Sequence, residues 1–165
     1  MNVVTETVLP YVRERHLLLL EKNRLTLGHI IARSSSEQAK SLRDGGDGWT
    51  PLEILCHLRD FDEIFLTRAQ DMRAQDNPTF TVYDVDGLAR ERAYNEQSLT
   101  EVYAVFSAAR ARLIAFFEPL TVDELLRTGT HPWYGPFTIL QQLIQIGHHD
   151  ANHIEQMTRV LAGDK

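Results

Sequence analysis

The chain has 165 residues, 43% of them hydrophobic, and a formal net charge of −6 at pH 7. This length predicts a single domain over residues 1–165, with a well-filled core. The negative charge, without any run of Lys or Arg, argues against binding to the phosphate backbone of nucleic acid.

Cysteine content and hydropathy indicate the compartment. The single cysteine, Cys56, leaves no pair for an internal disulfide. The N-terminus lacks the pattern of a signal peptide, and the longest aliphatic run, Leu17–Leu20, is far too short to cross a membrane. We therefore expect a soluble, cytoplasmic protein with no membrane partner.

Helix signals delimit the first half of the chain. Pro10 is favoured in a first turn, and we predict a helix from there to about Arg33. The glycine-rich stretch 34–48 reads as a flexible connection. Thr50, with proline next and Glu53 at the third helical position, forms a capping box that starts a second helix, which we expect to end near Gln75.

The second half of the chain predicts two more long helices. Residues 79–85 alternate like a strand, but with no second strand to pair with we read them as an extended linker. A third helix is predicted from 86 to 118, a capped turn at 121–124, and an irregular loop over 130–136. Thr138 and Gln141 cap the fourth helix, predicted to end near Ala162.

These four helices have the length of bundle helices. Each has roughly 24–33 residues, so each is about 36–50 Å long. The fold class that follows is an all-α four-helix bundle. Its connections, of roughly 10–18 residues, are long enough for at least one to cross the bundle.

A histidine pair lies on the inner face of the fourth helix. His149 and His153 are four residues apart, which places both rings on one face at a separation that one divalent ion can bridge. His57 has a similar place in the second helix, and its level matches the pair if the two helices are antiparallel. His148 would replace His149 if the helix were rotated, but only His149 pairs with His153. The apolar stripe that carries the pair consists of Ile139, Leu143, Ile146, Met157 and Val160.

Three neutral imidazoles with a vacant position are typical of a catalytic metal site. The alternative is that each histidine is a core residue whose ring nitrogens bond to ordinary polar partners. Residues near enough in sequence to hold the free ring nitrogens are Asp60, Glu63, Asp150 and Gln156. Each of these four also fits an ordinary solvated or capping role.

The remaining candidates have plainer interpretations. Cys56 is expected to be a small core residue. His16, His29 and His131 lack matching partners and are expected at the surface or in loops. Trp133 and Tyr134 would either close over a pocket at the end of the bundle or plug its core, and plugging is the commoner role.

Two segments resemble the DinB-like superfamily. The segment Trp49–Leu58 is similar to its tryptophan-to-histidine motif, and His149–Gln156 resembles its second signature of two histidines and a glutamine. His131-Pro132, with Gly135 and Thr138, resembles the approach to that signature. The resemblance implies an up-down-down-up bundle, a metal site made by His57, His149 and His153, and a homodimer.

The resemblance also limits the function. Relatives include S-transferases and isomerases that use small thiols, and others described only as metal-dependent hydrolases. The implied cofactor is a divalent ion, zinc or nickel with iron as the alternative, and the implied partner is a small-molecule thiol or electrophile. We therefore expect a metal-dependent thiol S-transferase or hydrolase. The alternative is a non-catalytic metal-binding or stress-related interaction module.

Overall fold

A computed structural model of the protein describes residues 3–163. The four long helices form the predicted bundle, in which α1 and α3 each pack against both α5 and α7. In chain order the elements are α1 (Val3–Ile31), α2 (Ser36–Ser41), α3 (Pro51–Ala74), α4 (Val85–Glu91), a 3₁₀ turn (Tyr94–Glu96), α5 (Leu99–Phe117), α6 (Val122–Leu125), β1 (Thr128–His131), β2 (Gly135–Thr138) and α7 (Ile139–Ala162).

The predicted capping boxes are confirmed at the two helices that carry the histidines. At the start of α3, Thr50 Oγ1 accepts from the Glu53 N–H, and Glu53 Oε2 accepts from the Thr50 N–H at 2.8 Å. Thr138 and Gln141 make the same reciprocal pair at the start of α7. Because these bonds satisfy amides that a helix start otherwise leaves unpaired, both helices begin at the predicted residue.

The first connection is more ordered than we expected. Helix α1 begins at Val3, so Pro10 lies inside it rather than at its start. The stretch predicted as flexible contains α2, which has its own capping box between Ser35 and Gln38. The glycines at 45, 46 and 48 favour a flexible segment, but the capping box that precedes them starts a short helix.

The predicted third helix is wrong, because the chain turns between α4 and α5. Ala93 has a left-handed backbone conformation, with φ at 47°. Two side chains just after it bond to distant parts of the chain: Tyr94 donates to Asp60 at 2.5 Å, and Asn95 donates to the Lys40 carbonyl at 3.0 Å. These tertiary contacts override a local pattern that favours a continuous helix.

The loop predicted over 130–136 is in fact a β-hairpin. Strand β1 pairs antiparallel with β2, with Thr130 opposite Pro136. The segment predicted as an extended linker also joins this hairpin, through one parallel bridge between Thr79 and Thr130. The bundle therefore carries a small sheet at one end, which the all-α prediction omits.

Helices α3 and α7 are antiparallel, as the levels of the histidines predicted. Gln142, early in α7, donates to the carbonyl of Phe65 in α3. Seven residues further along α7, His149 contacts His57, which lies eight residues before Phe65 in α3. This register brings the middle of α7 to the N-terminal half of α3. The up-down-down-up order of the whole bundle and the single-domain division stay predictions.

A charged layer divides the core into two apolar clusters. Arg110 of α5 is fully buried and makes paired hydrogen bonds to Asp62 of α3 and to Asp150 of α7. Asn23 of α1 donates to Asp150 at 3.2 Å. Each long helix contributes buried apolar side chains to both clusters. Its polar residue in this layer lies between the two sets. The layer thus ties all four helices together near the level of the histidines.

Within residues 3–163, none of the helices combines the length and the apolar character that a membrane span requires.

Candidate metal centre

The three predicted ligands converge in the structure. One ring nitrogen from each of His57, His149 and His153 lies within 4.8 Å of the others, and the Nε2 atoms of His57 and His149 are 2.9 Å apart. His148 is exposed and takes no part in this cluster. The structure thus brings His149, and not its neighbour, next to His57 and His153. That these three rings bind a metal ion stays a prediction.

The surroundings keep the three rings uncharged. Burial, reinforced by the neighbouring histidines, lowers the pKa of His57 to about 2. Burial and the nearby His153 lower the pKa of His149 to about 3, and burial also lowers the pKa of His153. Neutral imidazole is the form that binds a metal ion, so the cluster is ready to bind one at neutral pH.

His153 is held by a relay of polar side chains. Its Nδ1 lies 2.8 Å from Gln156 Oε1, and Gln156 Nε2 donates to Asp44 at 2.8 Å. Arg159 donates to the same carboxylate, and its hydrogen bond, together with that of Gln156, lowers the pKa of Asp44. The Trp49 ring stacks on His153 at 6.4 Å between centroids.

Gln156 was one of four residues expected to hold a ring nitrogen, and the structure places the other three elsewhere. Asp60 pairs with Arg59 and Arg92 and accepts from Tyr94. Asp150 faces Arg110 in the charged layer, because the side chain after His149 points about 100° away from it on the helix. Glu63 lies at the surface in an ion pair with Arg112.

The donor set fits a first-row divalent ion. Nitrogens that bind zinc at about 2.0–2.1 Å in tetrahedral geometry lie roughly 3.4 Å from one another. The observed separations, from 2.9 Å to at most 4.8 Å, bracket that value. The buried Nδ1 of His57 has no hydrogen-bond partner among the described residues, so this ring lacks the support that His153 receives.

A cavity of about 240 Å³ opens beside His57 and His149. Its walls come from α3, from α7, from the hairpin and from residues 82–85, which lead into α4. None of its lining residues is acidic. They are His57, Phe61, Phe65, Arg68, Val82, Tyr83, Val85, His131, Trp133, Tyr134, Phe137, Gln142, Gln145 and His149.

Two aromatic residues of the hairpin line this cavity rather than filling the core. Trp133 and Tyr134 are 70% and 75% exposed, so the plugging role is wrong for both. His131, expected at the surface, is buried, and its Nδ1 accepts from the Trp133 N–H at 3.2 Å. Burial, with a smaller effect from Arg68, lowers the pKa of His131.

Three cavity residues have no place in the site predicted from the sequence, namely Arg68, His131 and Gln142. The hairpin that brings in His131 was not predicted, and helical periodicity alone cannot distinguish a cavity wall from a packed core.

Cys56 is the core residue that we expected: it is fully buried, and burial raises the pKa of its thiol to about 12. Such a thiol is not a nucleophile at neutral pH.

The sequence places this bundle in a recognised class of protein. The sequence model of the DinB superfamily matches residues 19–157. The chain therefore belongs to the DinB superfamily. It is also 22% identical to the uncharacterized protein YuaE of Bacillus subtilis (strain 168), in an alignment that covers 76% of this chain and 85% of YuaE.

Solved structures share this fold. YfiT from Bacillus subtilis, described as a probable metal-dependent hydrolase with an unusual four-helix bundle topology, superposes with a TM-score of 0.85 at 18% identity, over 93% of this chain and 89% of YfiT. A mycothiol-dependent maleylpyruvate isomerase superposes with a TM-score of 0.72 at 12% identity, over 88% of this chain and 60% of the isomerase. At these identities the likeness establishes the fold alone.

Proposed function

We propose that the protein is an enzyme that depends on a divalent metal ion held by His57, His149 and His153. The observation that carries the proposal is the convergence of three uncharged ring nitrogens beside a cavity large enough for a small molecule. Zinc or nickel suits an all-imidazole donor set, and iron is the alternative. Zinc, nickel or iron bound there would lower the pKa of a coordinated water or thiol, which supplies a nucleophile near neutral pH.

The reaction that we propose is hydrolysis or the transfer of a small-molecule thiol to an electrophile. The names of YfiT and of the isomerase describe a metal-dependent hydrolase and a thiol-dependent enzyme on this fold, which supports both reactions. The chain's own groups would bind and orient the substrate. Phe61 and Phe65 give the cavity apolar walls next to His149, at ring separations of 5.4 and 5.5 Å. Such walls exclude bulk water from the reacting groups.

The thiol in an S-transfer would have to come from a second molecule. Cys56 is buried and protonated, so the chain supplies no nucleophilic thiol of its own. The predicted homodimer and the cytoplasmic location stay predictions.

The first experiment is elemental analysis of protein purified without an affinity tag or chelator. We expect about one zinc, nickel or iron per chain. The His149→Ala variant should lose the ion, whereas His148→Ala, an exposed neighbour on the same turn, should retain it. An absence of metal from the wild-type protein, even after incubation with these ions, would contradict the proposal.

Turnover is the second experiment. The metal-loaded protein is screened with electrophiles in the presence and absence of small thiols, and separately with esters and amides. Activity that disappears in His57→Ala, His149→Ala and His153→Ala supports the enzyme. Bound metal without turnover in either screen would favour the non-catalytic metal-binding module instead.

A further inference from the structure

The cavity has a charge opposite to that of the whole protein. The chain carries a net charge of −6, yet its cavity is lined by no carboxylate and contains one permanently charged side chain, Arg68. An acidic protein that keeps a cation on the wall of this cavity favours a negatively charged ligand there.

Arg68 has donors that the protein does not use. Its Nη2 donates to the Thr81 carbonyl at 2.8 Å, and the guanidinium lies 5.4 Å from the ring centroid of Phe80. Its Nε is buried without a hydrogen-bond partner, and Arg68 forms no ion pair with any carboxylate in residues 3–163. A guanidinium carries five N–H donors in a planar fork that matches a carboxylate.

Gln142 adds an unused acceptor to the same cavity. Its side chain is only 2% exposed, and its Nε2 donates to the carbonyl of Phe65 at 2.6 Å. That bond fixes the orientation of the amide and leaves Oε1 buried without a partner. A buried acceptor of this kind costs free energy unless a ligand supplies an N–H or O–H.

The spacing along α3 sets the shape of the ligand. Arg68 is eleven residues after His57, which is about 16 Å along the helix axis. Helical side chains all lean toward the N-terminus, so the lean is shared by both residues. The guanidinium lies against Phe80 and Thr81, at the end of the cavity away from His57. Phe61 and Phe65 lie between His57 and Arg68, and both line the cavity.

We propose that the cavity binds an organic carboxylate, with its anionic group on Arg68, its apolar body on the phenylalanines and an N–H or O–H donor facing Gln142. The end of the ligand away from Arg68 would lie at His57 and His149. That this end is the one that reacts rests on the function proposed above. Arg68 is then a residue that determines specificity for acidic substrates.

The test uses hippurate, which has a phenyl ring, an amide N–H and a carboxylate, and its uncharged match hippuramide. Their affinities are measured by isothermal titration calorimetry for the metal-loaded protein and for protein treated with a chelator. We expect hippurate to bind about tenfold to a hundredfold more tightly than hippuramide in both forms. Arg68→Gln should abolish this preference.

The matched control is Arg73→Gln, on the same helix, where Arg73 pairs with Glu124 outside the cavity. This variant should bind both compounds as the wild-type protein does. Arg68→Lys keeps the charge and should keep part of the preference, which tests the idea even if Arg68→Gln loses its contact with Thr81 and folds poorly.

The outcomes separate this proposal from the metal-dependent function. A preference that persists in Arg68→Gln, or an absence of hippurate binding to the wild-type protein, overturns the carboxylate site. A preference that vanishes when the metal is removed also overturns it, because the ion itself would then hold the carboxylate. If the protein contains no metal but the preference still depends on Arg68, the carboxylate site stands and the metal-dependent enzyme does not.

Discussion

The amide oxygen of Gln156 lies 2.8 Å from Nδ1 of His153. The other end of the same amide donates to Asp44, a carboxylate that can only accept. The amide therefore has one orientation, and Oε1 must accept a hydrogen bond from the Nδ1–H of the imidazole. This bond fixes the tautomer of His153 and leaves the lone pair of Nε2 available to a metal ion.

Replacing Gln156 by alanine should therefore weaken metal binding. We expect the affinity for zinc to fall about tenfold to a hundredfold, because His153 loses the partner that fixes its tautomer and its ring orientation. The measurement is a competition titration against a chromogenic chelator. Gln156→Glu retains an acceptor for Nδ1–H but sets a second carboxylate against Asp44, so it should keep only part of the affinity.

The control for this effect is Asn152→Ala, on an exposed position of α7 beside the histidines. It should leave the zinc affinity unchanged. Equal zinc affinities for Gln156→Ala and the wild-type protein would show that the relay does not support the metal site.

The metal-free protein should lose stability as the pH falls below 6.5. The pKa values of His57 and His149 are lowered in the folded state, to about 2 and about 3, from 6.5. Below pH 6.5 the unfolded chain therefore binds more protons than the folded one, so acidification favours unfolding. Each ring contributes up to about 1.4 kcal/mol per pH unit, which is roughly 2–4 kcal/mol for the pair between pH 6.5 and pH 5.

Urea unfolding of chelator-treated protein at a series of pH values measures this loss. His149→Leu should reduce the slope of the unfolding free energy against pH by about half, since one of the two rings is gone. His148→Ala should keep the full slope, because His148 is exposed. An unfolding free energy that stays constant from pH 7 to pH 5 would contradict the burial of neutral imidazoles.

The parts of this structure that sequence predicted are those set by local spacing. The capping boxes at Thr50 and Thr138 and the His149–His153 pair all depend on residues three or four apart. Gln156 could be expected beside His153 for the same reason. Helix starts, and the residues that share one face of a helix, can thus be predicted from the sequence.

Apart from helix α2, whose cap at Ser35 and Gln38 is local, the parts that failed depend on contacts between different segments of the chain. Asp150 is a candidate partner of a histidine by its sequence position, but Arg110, forty residues earlier, holds it instead. The third helix breaks because Tyr94 bonds to Asp60, more than thirty residues before it. Periodicity carries no information on such pairs, and the cavity, to which the unpredicted hairpin contributes, could not be foreseen.

Gly129 is expected to be essential for the packing of the hairpin on the bundle. A Cβ at this position would lie 2.2 Å from Phe80 Cζ and 2.8 Å from Met72 Cγ. Gly129→Ala should therefore lower the free energy of unfolding by about 1–3 kcal/mol through overpacking. In Gly46→Ala the new Cβ meets nothing within 4 Å, and thermal unfolding should show a much smaller change for this control.

Arg110 is expected to be the most costly single arginine to replace. Arg110→Met would leave Asp62 and Asp150 buried, close together and without their cation. Removing one partner of a buried ionic network costs about 3–5 kcal/mol of unfolding free energy, because the remaining charge is uncompensated. Urea unfolding at neutral pH measures this loss.

The matched control is Arg112→Met, two residues along α5. Arg112 pairs with Glu63, but both side chains are at least half exposed. An exposed ion pair contributes about 0–1 kcal/mol, so this variant should unfold almost as the wild-type protein does. Arg110→Met combined with Asp62→Asn leaves one buried carboxylate fewer and should recover part of the loss. If Arg110→Met cost no more than Arg112→Met, the charged layer would contribute nothing to holding the four helices together.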